Sequence, residues 1–322
     1  MTAKANTVIL IPIYNDWQSA SLLTSKIEVE LLKSKLSADI LFVNDDSSDE
    51  PVINFGEELN AIRCIEILNL RRNLGHQRAI AIGLTWANVN HHGDNAVVMD
   101  GDGEDRAEDI PKLMSALDAN GGKKIVFAER TRRTESLFFK FFYQVYCFLH
   151  FTLAGIRVRV GNFSAIPAAH LERLAVVSEL WNHYAAAVFK AKIPYEMIPL
   201  ARGNRLAGKS RMNFSSLVIH GLSAISVFGD VVGIRLLGSA ALFGIIFFSI
   251  LLATITKITG QLMPFWMPLL FGLIAILFFN LLLLCIIFVF MILTARQSAT
   301  FIPMRDYSYY IRSCENVFGE RK

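Results

Sequence analysis

The chain has 322 residues, 53% hydrophobic and 19% charged, with a formal net charge of +4. These averages mix two compositions: between Leu236 and Ala295 the only charged side chain is Lys257, while the remainder is as charged as an ordinary globular protein. They exclude a disordered or collagen-like chain and a wholly soluble one, and the interspersed charges lack the basic footprint that would make nucleic acid a partner.

In chain order, Met1 to Asn6 is short and polar, without the n-region, h-region and cleavage site of a secretory signal. Thr7 to Tyr14 is a continuous apolar run, as a strand covered on both faces requires. Asp16 can cap a helix with apolar positions at Leu22, Leu23, Ile27, Leu31 and Leu32. A second buried strand, Asp39 to Val43, ends in the acidic turn Asn44-Asp45-Asp46-Ser47. The pattern then predicts a strand around Cys64 to Leu70, a helix from about Gly75 to Asn88, a strand Ala96 to Met99, a helix from about Glu108 to Asp118 and a strand Lys124 to Ala128. Such alternation implies a mostly parallel sheet that binds ligands at the carboxyl ends of its strands, where the polar clusters fall.

Residues 136–154, rich in Phe and Tyr, and residues 214–231 read as amphipathic helices in the membrane interface. Two spans follow, at about 232–256 and 269–293, each long enough to cross about 30 Å of hydrocarbon. Gly260, Pro264 and Pro268 break the run between them, so the spans form a hairpin. Arg202, Arg205, Lys209, Arg211 and Arg235 precede the hairpin and Arg296, Arg305 and Arg312 follow it, which puts both ends in the cytoplasm. Residues 296–322 are read as a cytoplasmic tail. Cys64, Cys147, Cys285 and Cys314 are scattered without a metal-binding or disulfide spacing, in keeping with a reducing compartment.

Asp100-Gly101-Asp102-Gly103-Glu104 places carboxylates at alternate positions directly after an apolar strand. Hard oxygen ligands so arranged suit Mg2+ or Mn2+, which would neutralise a diphosphate. An EF-hand loop is excluded, because Asp105 and Pro111 stand where it needs Gly and Glu.

The ordered set Ile11-Pro12-Ile13-Tyr14-Asn15-Asp16, Val43-Asn44-Asp45-Asp46, Asn73 to Ala79, Asp100-Gly101-Asp102, Ala128-Glu129-Arg130, Gly161-Asn162-Phe163-Ser164 and Arg205 to Met212, followed by a two-helix hairpin, resembles family 2 glycosyltransferases with the GT-A fold. Within that family it looks like the polyisoprenyl-phosphate branch, dolichyl-phosphate mannose synthase and GtrB-like enzymes. The resemblance implies an α/β, Rossmann-like GT-A domain over residues 1–213. It makes Asp45 the contact to the nucleotide base, with Pro12, Tyr14 and Asp16 lining that pocket, beside Asp100 and Gly101. Asp100, Asp102 and Glu104 become the metal and diphosphate site. Arg130, Arg205 and Arg211 become phosphate clamps, with Lys209 and Ser210 in the acceptor-phosphate loop, and Asp102, Arg130, Arg205 and Arg211 are the residues expected to act in catalysis. Arg suits that work because its planar fork matches phosphate oxygens and keeps its charge.

The chain departs from the family where Asn162 replaces a common aspartate, and an amide cannot be a general base. A lipid monophosphate acceptor does not need one, since its second pKa is about 6. The expected activity is therefore inverting transfer of a hexose from a UDP- or GDP-sugar to a polyprenyl (undecaprenyl or dolichyl) phosphate. The alternatives are transfer to a lipid hydroxyl and a non-catalytic membrane scaffold; a processive polysaccharide synthase is disfavoured because Leu180-Trp181-Asn182-His183 lacks the Gln-x-x-Arg-Trp element. The sugar stays open, and so does assembly into a homo-oligomer.

Overall fold

The computed structural model describes residues 6–51, 59–130, 144, 151–153, 155, 160–208, 221–258, 266–297 and 301–319. The chain divides into two compact units, one formed by residues 1–141, 158–227 and 301–322, the other by residues 142–157 and 228–300.

The first unit is an eight-stranded mixed sheet. Its strands are β1 (Thr7–Ile13), β2 (Ala38–Asn44), β3 (Ile62–Leu70), β4 (Asn95–Val98), β5 (Ile125–Arg130), β6 (Val160–Ile166), β7 (Tyr195–Leu200) and β8 (Ile311–Phe318), in the spatial order β7-β5-β6-β4-β1-β2-β3-β8. The central run β3-β2-β1-β4 is parallel throughout, while β6 and β8 pair antiparallel with their neighbours. All seven side chains of β1 are buried, because helices cover both faces of the sheet. Val8 and Leu10 meet the core that includes Ile80, Ile82 and Leu84 of α2 (His76–Asn90). Ile9, Ile11 and Ile13 meet the opposite core, with Leu23 and Ile27 of α1 (Trp17–Ser34) and Leu113 of α3 (Ile110–Ala119). Two shorter helices, α4 (Ala168–Leu174) and α5 (Tyr184–Lys190), add Leu171, Leu174 and Tyr184 to the α2 side.

Three expectations change in detail. Leu22 and Leu32 are exposed, because the buried stripe of α1 runs Trp17, Ala20, Leu23, Ile27, Leu31 and each of the two leucines lies one residue, about 100°, off it. Asp16 stands at the N-cap of α1 but makes no side-chain cap hydrogen bond, since its carboxylate is engaged elsewhere. Part of the expected tail also returns to the first unit: α8 (Pro303–Asp306) and β8 follow the apolar helices, and β8 pairs with β3.

The second unit contains α6 (Gly229–Ile258) and α7 (Met267–Gln297). Within their apolar stretches, Gly229–Leu252 and Leu269–Met291, 28% and 11% of the residues in the most apolar 18-residue window are buried. A core helix of a soluble protein would be mostly covered, so these helices fit a membrane anchor. Phe278 packs on Phe243 and Phe247, and Cys285 Sγ lies 3.5 Å from the Leu236 carbonyl oxygen. The expected interfacial segment at 136–154 lies mostly outside the described residues, and of the juxtamembrane segment at 214–231 the part from 221 is described, helical through 226.

Candidate active site

Parallel neighbours deliver their loops to one edge of the sheet, so the turns after β1, β2 and β4 converge. Asn15, at φ +51°, ties the first turn to the second: its backbone N–H donates to Ser47 Oγ at 2.9 Å, and its Oδ1 accepts from Asp49 N at 3.1 Å. Pro12 is buried within β1 and Tyr14 is 46% exposed, so Tyr14 is the member of the expected base pocket that stands open to a ligand. Asp45 is buried, and its two oxygens accept from the backbone N–H of Leu74 (2.7 Å) and Gly75 (2.8 Å), just ahead of α2. Burial pushes its pKa up to about 6 against the opposing pull of those two bonds. Asp45 thus braces the turn into α2, a task the sequence did not disclose.

The acidic turn after β4 is closed from within: Asp105 Oδ2 accepts from Asp100 N at 2.9 Å, and Asp102 Oδ1 from Glu104 N at 3.0 Å. It needs glycine for space. A Cβ on Gly101 would lie 2.5 Å from Ile13 Cδ1, and one on Gly103, at φ +83°, would lie 2.3 Å from Leu206 Cγ. That close approach lets the loop after β7 dock on the turn, with Gly203 N donating to the Glu104 carbonyl oxygen (2.8 Å) and Leu206 N to that of Asp102 (2.9 Å).

The docked loop brings two arginines. Arg205 donates to the carboxylates of Asp16 and of Asp102, the latter at 3.2 Å, and its Nε to the Ala207 carbonyl oxygen at 2.8 Å. Arg202 pairs with Glu104. Asp102 has its pKa pushed up to about 6, first by burial and then by the charge of Asp100, with Arg205 and Arg202 pulling the other way. On the far side His76 Nε2 lies 3.1 Å from Asp100 Oδ1. Desolvation works against the charged imidazole, but Asp100, Asp105 and Asp102 outweigh it and hold its pKa above the ordinary value. Asn162 joins this group: its Nδ2 is 2.9 Å from His76 Nε2, and its Oδ1 accepts from Gln77 at 3.0 Å.

The structure therefore gathers Asp16, Asp100, Asp102 and Arg205. Glu104, the third expected metal ligand, is paired with Arg202. His76, Gln77, Asp105 and Arg202 were not foreseen as site residues; the first two sit inside the Asn73 to Ala79 motif, which was the available signal. The side chains of Arg130, Lys209, Ser210 and Arg211 lie outside the described residues.

Asp100 and Asp102 are hard donors in a partly desolvated turn, the chemistry a divalent cation requires. Among the described residues the group of three metal-capable side chains within 4.8 Å of one another is a different one, Asp39, His91 and Asp94. It lies toward the opposite edge of the sheet, at the amino end of β2, and Arg63 already bonds both oxygens of Asp39 at 3.0 and 2.9 Å.

A Rossmann-like, mostly parallel sheet with an acidic turn and arginines at its carboxyl edge is the architecture of the GT-A class of glycosyltransferases. Residues 8–177 match the family described as glycosyl transferase family 2, and the chain belongs to that family. It is 25% identical over 264 residues to the uncharacterized glycosyltransferase YkcC of Bacillus subtilis, covering 78% of this chain and 79% of that one. It is 31% identical over 134 residues to the undecaprenyl-phosphate 4-deoxy-4-formamido-L-arabinose transferase of Photorhabdus laumondii, covering 41% of this chain and 39% of that one. Among solved structures it is similar to glucosyl-3-phosphoglycerate synthase from Mycobacterium tuberculosis in complex with Mn2+ and UDP, at 13% identity, with 71% of this chain and 80% of that one covered and a TM-score of 0.46.

Proposed function

We propose that this glycosyltransferase moves a hexose from a nucleotide diphosphate sugar to a polyprenyl phosphate at the cytoplasmic leaflet, by one displacement with inversion. The observation that carries the reading is the loop bearing Arg202 and Arg205. It docks on the Asp100–Asp102 turn, and its chain runs on to the first apolar helix, which starts at Gly229. Donor chemistry and membrane anchorage are thus joined by a short stretch of chain. The relative named for undecaprenyl phosphate supports the same acceptor class.

In this reading Tyr14, Asp16 and Asp45 serve the nucleotide end. Asp100 and Asp102 would hold Mg2+ or Mn2+, whose charge would offset that of the departing nucleoside diphosphate. Arg205 would exchange its carboxylate partners for phosphate oxygens, and Arg130, Lys209, Ser210 and Arg211 would complete the acceptor-phosphate clamp. Asn162 holds His76 and accepts no proton, which suits an acceptor that arrives ionised.

Membranes carrying the protein, given a panel of radiolabelled UDP- and GDP-hexoses and short polyprenyl phosphates, should yield acid-labile label extractable into organic solvent. Label that remains aqueous with every donor would defeat the reading. An acid-stable glycolipid would move the acceptor to a lipid hydroxyl.

A further inference from the structure

The strand β8 reaches the sheet only after the chain has passed through both apolar helices, yet it lies beside the loops of the donor pocket. Strand register aligns Asn44 of β2, Asn69 of β3 and Ser313 of β8 across three adjacent strands. Their side chains form a continuous line. Asn69 Nδ2 donates to Ser313 Oγ (3.1 Å) and Glu315 Oε1 (2.8 Å), and Asn69 Oδ1 accepts from Asn44 Nδ2 (2.8 Å). Asn44 Oδ1 accepts from Ser47 N (3.0 Å), and Ser47 Oγ accepts from Asn15 N (2.9 Å). Asn44 and Asn69 are both buried, so their amides have few partners to exchange for these. The register also covers the edge of β3, which would otherwise present unpaired backbone groups.

We propose that Ser313 and Glu315 are positioning residues of the donor site. Acting through Asn69 and Asn44, they hold the 45–49 turn in the shape that receives the nucleotide sugar, so the segment beyond the membrane hairpin is a working part of the nucleotide pocket. The proposal rests on the donor reading above, and its test has one arm that does not.

The full-length protein in detergent is compared with the double variant Ser313→Ala/Glu315→Ala, with Glu315→Gln, which keeps an oxygen acceptor, and with Val317→Ala, an exposed residue of β8 outside the line. Calorimetric Kd for the nucleotide sugar should rise about fivefold to tenfold in the double variant, the scale of one lost network hydrogen bond, and stay near wild type in the other two. Amide hydrogen exchange in the 44–49 peptide should quicken in the double variant while β3 and β8 stay protected. Unchanged exchange in 44–49 overturns the proposal, and so does exchange that quickens equally along β3 and β8, which would make the strand merely structural. A wild-type protein that binds no sugar nucleotide would instead sink the donor reading and leave the exchange arm to decide this one.

Discussion

Asp45 is buried and Asp102 is half-buried, both have pKa values pushed up to about 6, and they predict different behaviour. Asp102 faces Asp100 and a bridging arginine, so its charge is held at a cost, as at sites whose chemistry uses the charge. Asp102→Asn should lower transfer by at least about a hundredfold. It should leave the unfolding temperature unchanged or slightly raised, because the neutral amide escapes the desolvation that the carboxylate suffers. Rates with and without EDTA, beside thermal unfolding of both proteins at pH 7, check this; activity undiminished in EDTA would remove the metal from the site. For Asp45 the pH sign is fixed by its raised value. Its stabilising contribution is fullest below the unfolded pKa near 3.9 and is lost as pH rises through about 6. Wild-type stability relative to Asp45→Asn should therefore fall by about 2 kcal/mol between pH 4.5 and 7.5, read from thermal unfolding at the two values.

At the scale of elements, the junction of the acidic turn with the loop after β7 is the sensitive one. Gly103→Ala adds a methyl 2.3 Å from Leu206 Cγ at φ +83°, whereas Gly93→Ala, at φ +87° with nothing within 4 Å, adds backbone strain alone. Gly93→Ala should cost about 1 to 2 kcal/mol of stability and Gly103→Ala more, because Leu206 must also shift, and Gly103→Ala should lower transfer about tenfold or more by moving Arg205. Equal activities in the two variants would show that loop docking is immaterial. This junction marks how far the sequence could be read. Strands β1 to β5 were legible because buried parallel strands are continuous apolar runs. The motif at Asn162 was seen, but not that it lies in a strand, since Val160–Ile166 carries Gly161 and Asn162 mid-run. β7 includes Pro199, and β8 reads Ile-Arg-Ser-Cys-Glu-Asn-Val-Phe, a polar edge strand with no period to betray it. The bond from Arg205 to Asp16 spans 189 positions, so no local pattern could announce it. The acidic turn, by contrast, was legible because its chemistry is contiguous.

For the whole molecule, the pairing of β8 with β3 constrains membrane topology more firmly than charge counting does. β3 precedes the apolar helices and β8 follows them, so a chain that forms this pair crosses the membrane an even number of times between them. Gly229–Leu252, 24 residues, rises about 36 Å as a helix and can cross; Leu269–Met291 is nearly as long, and only 11% of its most apolar window is buried. Two crossings satisfy length, exposure and parity together. The proposed direction follows from the basic residues: Arg202 and Arg205 before the helices, and Arg305 and Arg312 after them, outnumber the single Lys257 between the two apolar stretches, which would put the sheet on the cytoplasmic side. A cysteine introduced at Gln261, in a variant cleared of native cysteines, should react with an impermeant maleimide added to intact cells, while one at Val317 should react only after permeabilisation. Reaction at both positions from outside would break the pairing of β8 with β3 in the cell, and reaction at Val317 alone would invert the hairpin.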